Sequence, residues 1–103
     1  MEIENVETIE QLEKALSKNE NVIIEFSTAW CHPCKTMDPV YKKISTEHVT
    51  IKFLKVNVDK GQKLVERYEI MAMPTFILIK DKIEIGRFSG TNKSILLEMI
   101  NNI

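Results

Sequence analysis

Two cysteines in 103 residues are too few to staple a small fold, so the chain is no disulfide scaffold. Charge of either sign is also lacking in excess: 14 basic and 15 acidic side chains leave a formal net charge of −1. They are interspersed, without the basic patch that electrostatic binding requires, so no nucleic acid is expected as a partner. No apolar run approaches the length of a bilayer span, so no membrane association is expected either. Met1-Glu2-Ile3-Glu4-Asn5 has neither the positive start nor the apolar run of a secretory signal. The expected setting is therefore cytoplasmic and reducing. In such a compartment a close cysteine pair is catalytic, redox-sensing or metal-binding rather than structural. There is no internal repeat, linker or low-complexity segment.

What is present is a chain that is 44% apolar, enough for one core and one domain over residues 1–103. Residues 3–6 read as a short first strand. Thr8-Ile9-Glu10-Gln11 fits a capping box, and Ile9, Leu12 and Leu16 share one face of a helix over 8–18. Residues 22–27 form an apolar run broken only by Glu25, which suits a central strand. A helix follows the cysteines as far as about Glu47, with Met37, Val40, Tyr41 and Ile44 at helical spacing and Pro39 as its expected kink. Residues 51–58 are a second buried strand, and Leu64, Val65 and Tyr68 mark a short helix starting near Gly61. Residues 75–79 and 82–88 read as a hairpin turning at Lys80-Asp81. Ile95, Leu96, Met99, Ile100 and Ile103 then stripe a terminal helix. The order β-α-β-α-β-α-β-β-α predicts an α/β fold. Its mixed sheet is parallel at first and antiparallel at one edge, with helices on both faces.

Both cysteines lie in Trp30-Cys31-His32-Pro33-Cys34-Lys35, where the second strand gives way to a helix. Residues three apart at the first turn share a face, so Cys31 and Cys34 can reach disulfide geometry. Cys31 precedes the helix, where unpaired N–H groups and the dipole favour a thiolate. Cys34, one turn inside, is expected to be buried and protonated. Half of a zinc site is the competing reading. Apart from His32, within the loop, only His48 is available as a further ligand, so no metal and no cofactor is expected. A C-x-x-C near a βαβ pattern is a fairly specific redox signal.

Two features outside the loop bear on it. Met73-Pro74-Thr75 places a proline where a strand begins, either as an ordinary strand starter or as a cis peptide beside the cysteines. Glu25 is a lone charge in an apolar strand. Buried, it needs a partner and its pKa rises, and Lys55 is the natural candidate.

With these residues assembled, the chain resembles the thioredoxin family over essentially its whole length. The matching landmarks are Trp30-Cys31-x-Pro33-Cys34-Lys35, Pro39, Lys55-x-Asn57-x-Asp59, Met73-Pro74-Thr75, Gly86 and Gly90. The resemblance implies the thioredoxin fold and thiol–disulfide exchange with protein substrates. By it, Cys31 is the nucleophile, Cys34 the resolving thiol, and Glu25, with Lys55, stands where a buried acid assists Cys34. It also implies that Pro74 is cis, and that Trp30, His32, Pro33, Met73, Pro74 and Gly90 face the substrate. The implied partners are a thioredoxin reductase and disulfide-containing clients, met by a monomer. The alternatives are a more oxidising oxidase or isomerase, or a non-catalytic binding module. Three positions depart from the family pattern: His32 replaces a glycine, Ser27 a tryptophan, and Glu25 an aspartate. An imidazolium at position 32 would stabilise the Cys31 thiolate and make the disulfide more oxidising.

Overall fold

The computed structural model describes residues 2–103. Its strands are β1 (Glu4–Asn5), β2 (Asn21–Ser27), β3 (Lys52–Asn57), β4 (Thr75–Lys80) and β5 (Ile83–Ser89). Its helices are α1 (Ile9–Lys18), α2 (His32–Glu47), α3 (Gln62–Arg67) and α4 (Lys93–Asn101). One sheet runs in the order β1-β3-β2-β4-β5. The first three strands are mutually parallel, β4 runs antiparallel to β2, and β5 runs antiparallel to β4. The α/β order and mixed sheet expected from the sequence are both found.

Strand alternation decides what lies on each face. Val22, Ile24 and Phe26 of β2 pack with Leu12 and Leu16 of α1 and Leu64 of α3. Ile23 points the other way, into a cluster with Met37, Tyr41 and Ile44 of α2 and Leu96 and Ile100 of α4. Glu25 is in step with Ile23, so it faces α2. That places a carboxyl under the helix that begins at the cysteines.

Local chemistry sets the boundaries. Thr8 Oγ1 accepts from the Gln11 N–H at 3.1 Å and the Gln11 side chain accepts from the Thr8 N–H, the expected capping box. At the start of α4 the Asn92 Oδ1 accepts the Ile95 N–H at 3.2 Å, a single N-cap bond. The first strand is shorter than the expected 3–6, because only Glu4 and Asn5 find register partners on β3. The hairpin turns one residue later than expected, at Asp81 and Lys82, with φ of 51° and 69°. Such a two-residue turn needs both central residues left-handed, matching the twist of the strands. The stripe of α4 centres on Leu96 and Ile100, which leaves Ile95 42% exposed rather than in the core.

Candidate active site

Helix α2 starts at His32 and its N-cap is Cys31. The Cys31 Sγ accepts the Cys34 N–H at 3.3 Å, so the sulfur meets one of the free donors at a helix N-terminus. Pro33 occupies the first turn, where its missing N–H costs nothing. Both cysteines are free thiols, Cys31 at 8% exposure and Cys34 at 0%. Burial pushes the Cys34 thiol up to about 12, and the neighbouring Cys31 sulfur adds to the rise. The two sulfurs are therefore inequivalent, one at the rim and capping a helix, the other enclosed and protonated.

Met73-Pro74 is a cis peptide immediately before β4. The Met73 carbonyl lies 3.8 Å from Cys31 Sγ. Gly90, with φ of +120°, donates its N–H to the Pro74 carbonyl at 3.0 Å and so ties the end of β5 to this segment. Trp30 is 68% exposed, yet its indole N–H is held by Asp59 Oδ2 at 2.9 Å. The same oxygen accepts from Thr28 Oγ1 at 2.7 Å. His32 and Pro33 are exposed beside the sulfurs.

Glu25 is fully buried, and neither carboxylate oxygen has a hydrogen-bond partner. Burial pushes its carboxyl up to about 8, and the Asp38 carboxylate raises it further while Lys55 opposes. Lys55 is the register partner of Glu25 on β3, but its ammonium pairs with Asp38 Oδ2 at 3.2 Å. The expected Glu25–Lys55 partnership is thus corrected to Lys55–Asp38. Lys55 keeps about a third of its side chain in water at that position. Turning inward to Glu25 would strip the ammonium of solvent. Tyr41, also fully buried, donates its hydroxyl to the Leu54 carbonyl at 2.7 Å and lies 3.1 Å from that of Ile23.

The thioredoxin family profile matches residues 4–102. The chain belongs to the thioredoxin family. Thioredoxin H2-1 of Oryza sativa subsp. japonica is 40% identical over 82 residues, covering 80% of this chain and 59% of that protein. A Caenorhabditis elegans peptide-N(4)-(N-acetyl-beta-glucosaminyl)asparagine amidase is 35% identical over 97% of this chain, which spans only 17% of the amidase. The X-ray structure of Fasciola hepatica thioredoxin superposes with a TM-score of 0.95 at 34% identity, covering 97% of this chain and 98% of that one. The family is one of oxidoreductases, and the Cys31–Cys34 pair has its C-x-x-C spacing.

Within this thioredoxin fold, Trp30, Cys31, His32, Pro33, Cys34, Met73, Pro74 and Gly90 gather at the start of α2 and the entry to β4. Glu25 lies beneath them, and Lys55 stands further out beside Asp38. Asp38 escaped sequence reasoning, and Tyr41 was read only as part of the apolar stripe of α2. Both sit on α2 in step with Cys34, at i+4 and i+7, and that spacing was the available signal. Thr28 also escaped notice. Its hydroxyl joins β2 to Asp59 only because the turn after β3 comes back to it.

Proposed function

We propose that the chain is a dithiol–disulfide reductase of protein substrates. The Cys31 thiolate attacks a client disulfide, forming a mixed disulfide and expelling one client thiolate, which takes up a proton. Cys34 then loses its proton and attacks Cys31 Sγ. The second client thiol leaves, and the two electrons have passed from the Cys31–Cys34 dithiol to the client. The observation that carries this reading is the inequivalence of the sulfurs: Cys31 caps α2 at the rim beside Met73, and Cys34 is enclosed and protonated. In this reading a client strand pairs with the Met73 backbone against Pro74, and the exposed faces of Trp30, His32, Pro33 and Gly90 receive it. Glu25 takes the proton of Cys34. A thioredoxin reductase, in a cytoplasmic setting, returns the electrons.

A second reading has one observation in its favour. The amidase aligns with nearly the whole chain while being several times longer, so a domain of this kind also occurs within a larger protein. On this second reading the present chain is a binding module without exchange chemistry. Insulin reduction by dithiothreitol separates the two. Catalysis by the wild type, abolished in Cys31→Ser and in Cys34→Ser, supports the reductase. Precipitation no faster than with dithiothreitol alone supports the module.

A further inference from the structure

Three carboxylate oxygens on the α2 face of the sheet have no hydrogen-bond partner: Glu25 Oε1, Glu25 Oε2 and Asp38 Oδ1. Two ionised carboxylates cannot donate to one another, so as ionised groups neither satisfies the other. One proton resolves this. Lys55, the register partner of Glu25, holds Asp38 at 3.2 Å, which brings the two carboxyl groups to the same spot under α2, where a protonated Glu25 can turn to donate to the unpartnered Asp38 Oδ1. Asp38 is also built to face both ways. Its Oδ1 is buried, while Oδ2 holds the Lys55 ammonium at 3.2 Å and the side chain is 39% exposed. Beyond it lies a cleft of about 250 Å³, whose lining includes Ser27, Thr28, Asp38, Lys55 and Asn57 but not Glu25. Asp38 stands between the enclosed acid and that cleft.

We propose that Glu25 and Asp38 share one proton, and that Asp38 is the positioning residue through which Glu25 exchanges that proton with solvent. The proposal rests on the reductase reading for its role in turnover. When Cys34 resolves the mixed disulfide, its proton must leave the interior. Glu25 can accept it only after releasing its own proton. Asp38 receives that proton from Glu25 and passes it to water in the cleft, which leaves it ionised again, and the Lys55 ammonium stabilises that carboxylate. No electron moves in this relay. The electron pair travels along the Cys34–Cys31–client sulfur line, and the departing client thiolate is protonated separately. The groups facing Glu25 from the packed elements are Asp38, Tyr41 and Cys34 of α2 and Lys55 of β3. From β4 its register partner is the uncharged Phe76.

The test is a carbon-13 NMR titration of the Glu25 carboxyl in the reduced, substrate-free protein, in wild type and Asp38→Asn. The asparagine removes the like charge and can donate to an ionised Glu25. The Glu25 midpoint is expected to move down by about one pH unit or more. The pH profile of mixed-disulfide resolution is expected to move in the same direction. An unmoved midpoint in a folded variant overturns the shared proton, and a moved midpoint with an unmoved resolution profile overturns the relay. Should Asp38→Asn fail to fold, Asp38→Ser carries the same expectation. The titration needs no substrate. Absence of disulfide reduction by the wild type therefore counts against the reductase reading alone.

Discussion

The Sγ of Cys31 and the backbone N–H of Cys34 form the first contact of helix α2, at 3.3 Å. A sulfur thus stands where an N-cap hydroxyl usually does. Substituting serine keeps an acceptor at that position, whereas alanine removes it. Cys31→Ser should unfold in urea within about 0.5 kcal/mol of the reduced wild type, and Cys31→Ala should lose about 1 kcal/mol. Equal losses in both variants would show that the sulfur does not cap the helix.

The buried carboxyl of Glu25 makes folding stability depend on pH. Its pKa rises from 4.5 to about 8 on folding, chiefly through burial. Between those values the native protein keeps a proton that the unfolded chain has released, so raising the pH favours unfolding. The contribution is fully present below the unfolded value and is lost by the time the pH has passed the folded one. Over that window the loss is on the order of 3–5 kcal/mol, with a steepest slope of about 1.4 kcal/mol per pH unit. Glu25→Gln should flatten this part of the curve and be the more stable protein at pH 8. Urea denaturation at a series of pH values reads it directly. Parallel curves for the two proteins would place the titration elsewhere.

The extent to which the fold was legible follows from period and spacing. The β2 run, the capping box at Thr8 and the stripe of α1 carry strong local signals, and each lies where those signals put it. Edges were less legible. The turn at Asp81 and Lys82 depends on two left-handed residues, neither a glycine, and Ile95 matches the helical stripe but stays 42% exposed. At the site, the cysteines and Pro74 could be read from motif alone. The partner of Lys55 could not. A charge embedded in β3 next to Glu25 suggested a direct pair. The choice of Asp38 instead depends on how far each side chain reaches into water, a three-dimensional property that spacing does not encode.

Trp30 reports on the rim of the site because it is the sole tryptophan. Its indole N–H and the Thr28 hydroxyl share one acceptor, Asp59 Oδ2. Asp59→Ala removes both bonds and frees a ring that is already two-thirds exposed. Tryptophan fluorescence anisotropy should fall, and stability should drop by about 1 kcal/mol. Under the reductase reading, KM for a protein client should also rise, with kcat less affected. An unchanged anisotropy would mean that packing, not Asp59, orients the ring.

His32 sits at the first position of α2, exposed, one residue from the capping sulfur. A positive charge there favours the Cys31 thiolate, and with it the reduced protein, so the disulfide becomes the better oxidant. Exposure limits the gain. An exposed charge contact is worth up to about 1 kcal/mol, which for a two-electron couple is roughly 5–20 mV. His32→Gly should therefore have the lower reduction potential in a glutathione equilibration, while His32→Lys, which keeps a cation, should stay near the wild type. A potential that is unchanged or higher in His32→Gly would reduce this histidine to a solvated loop residue. The tuning of the pair would then fall to the capping N–H and the burial of Cys34.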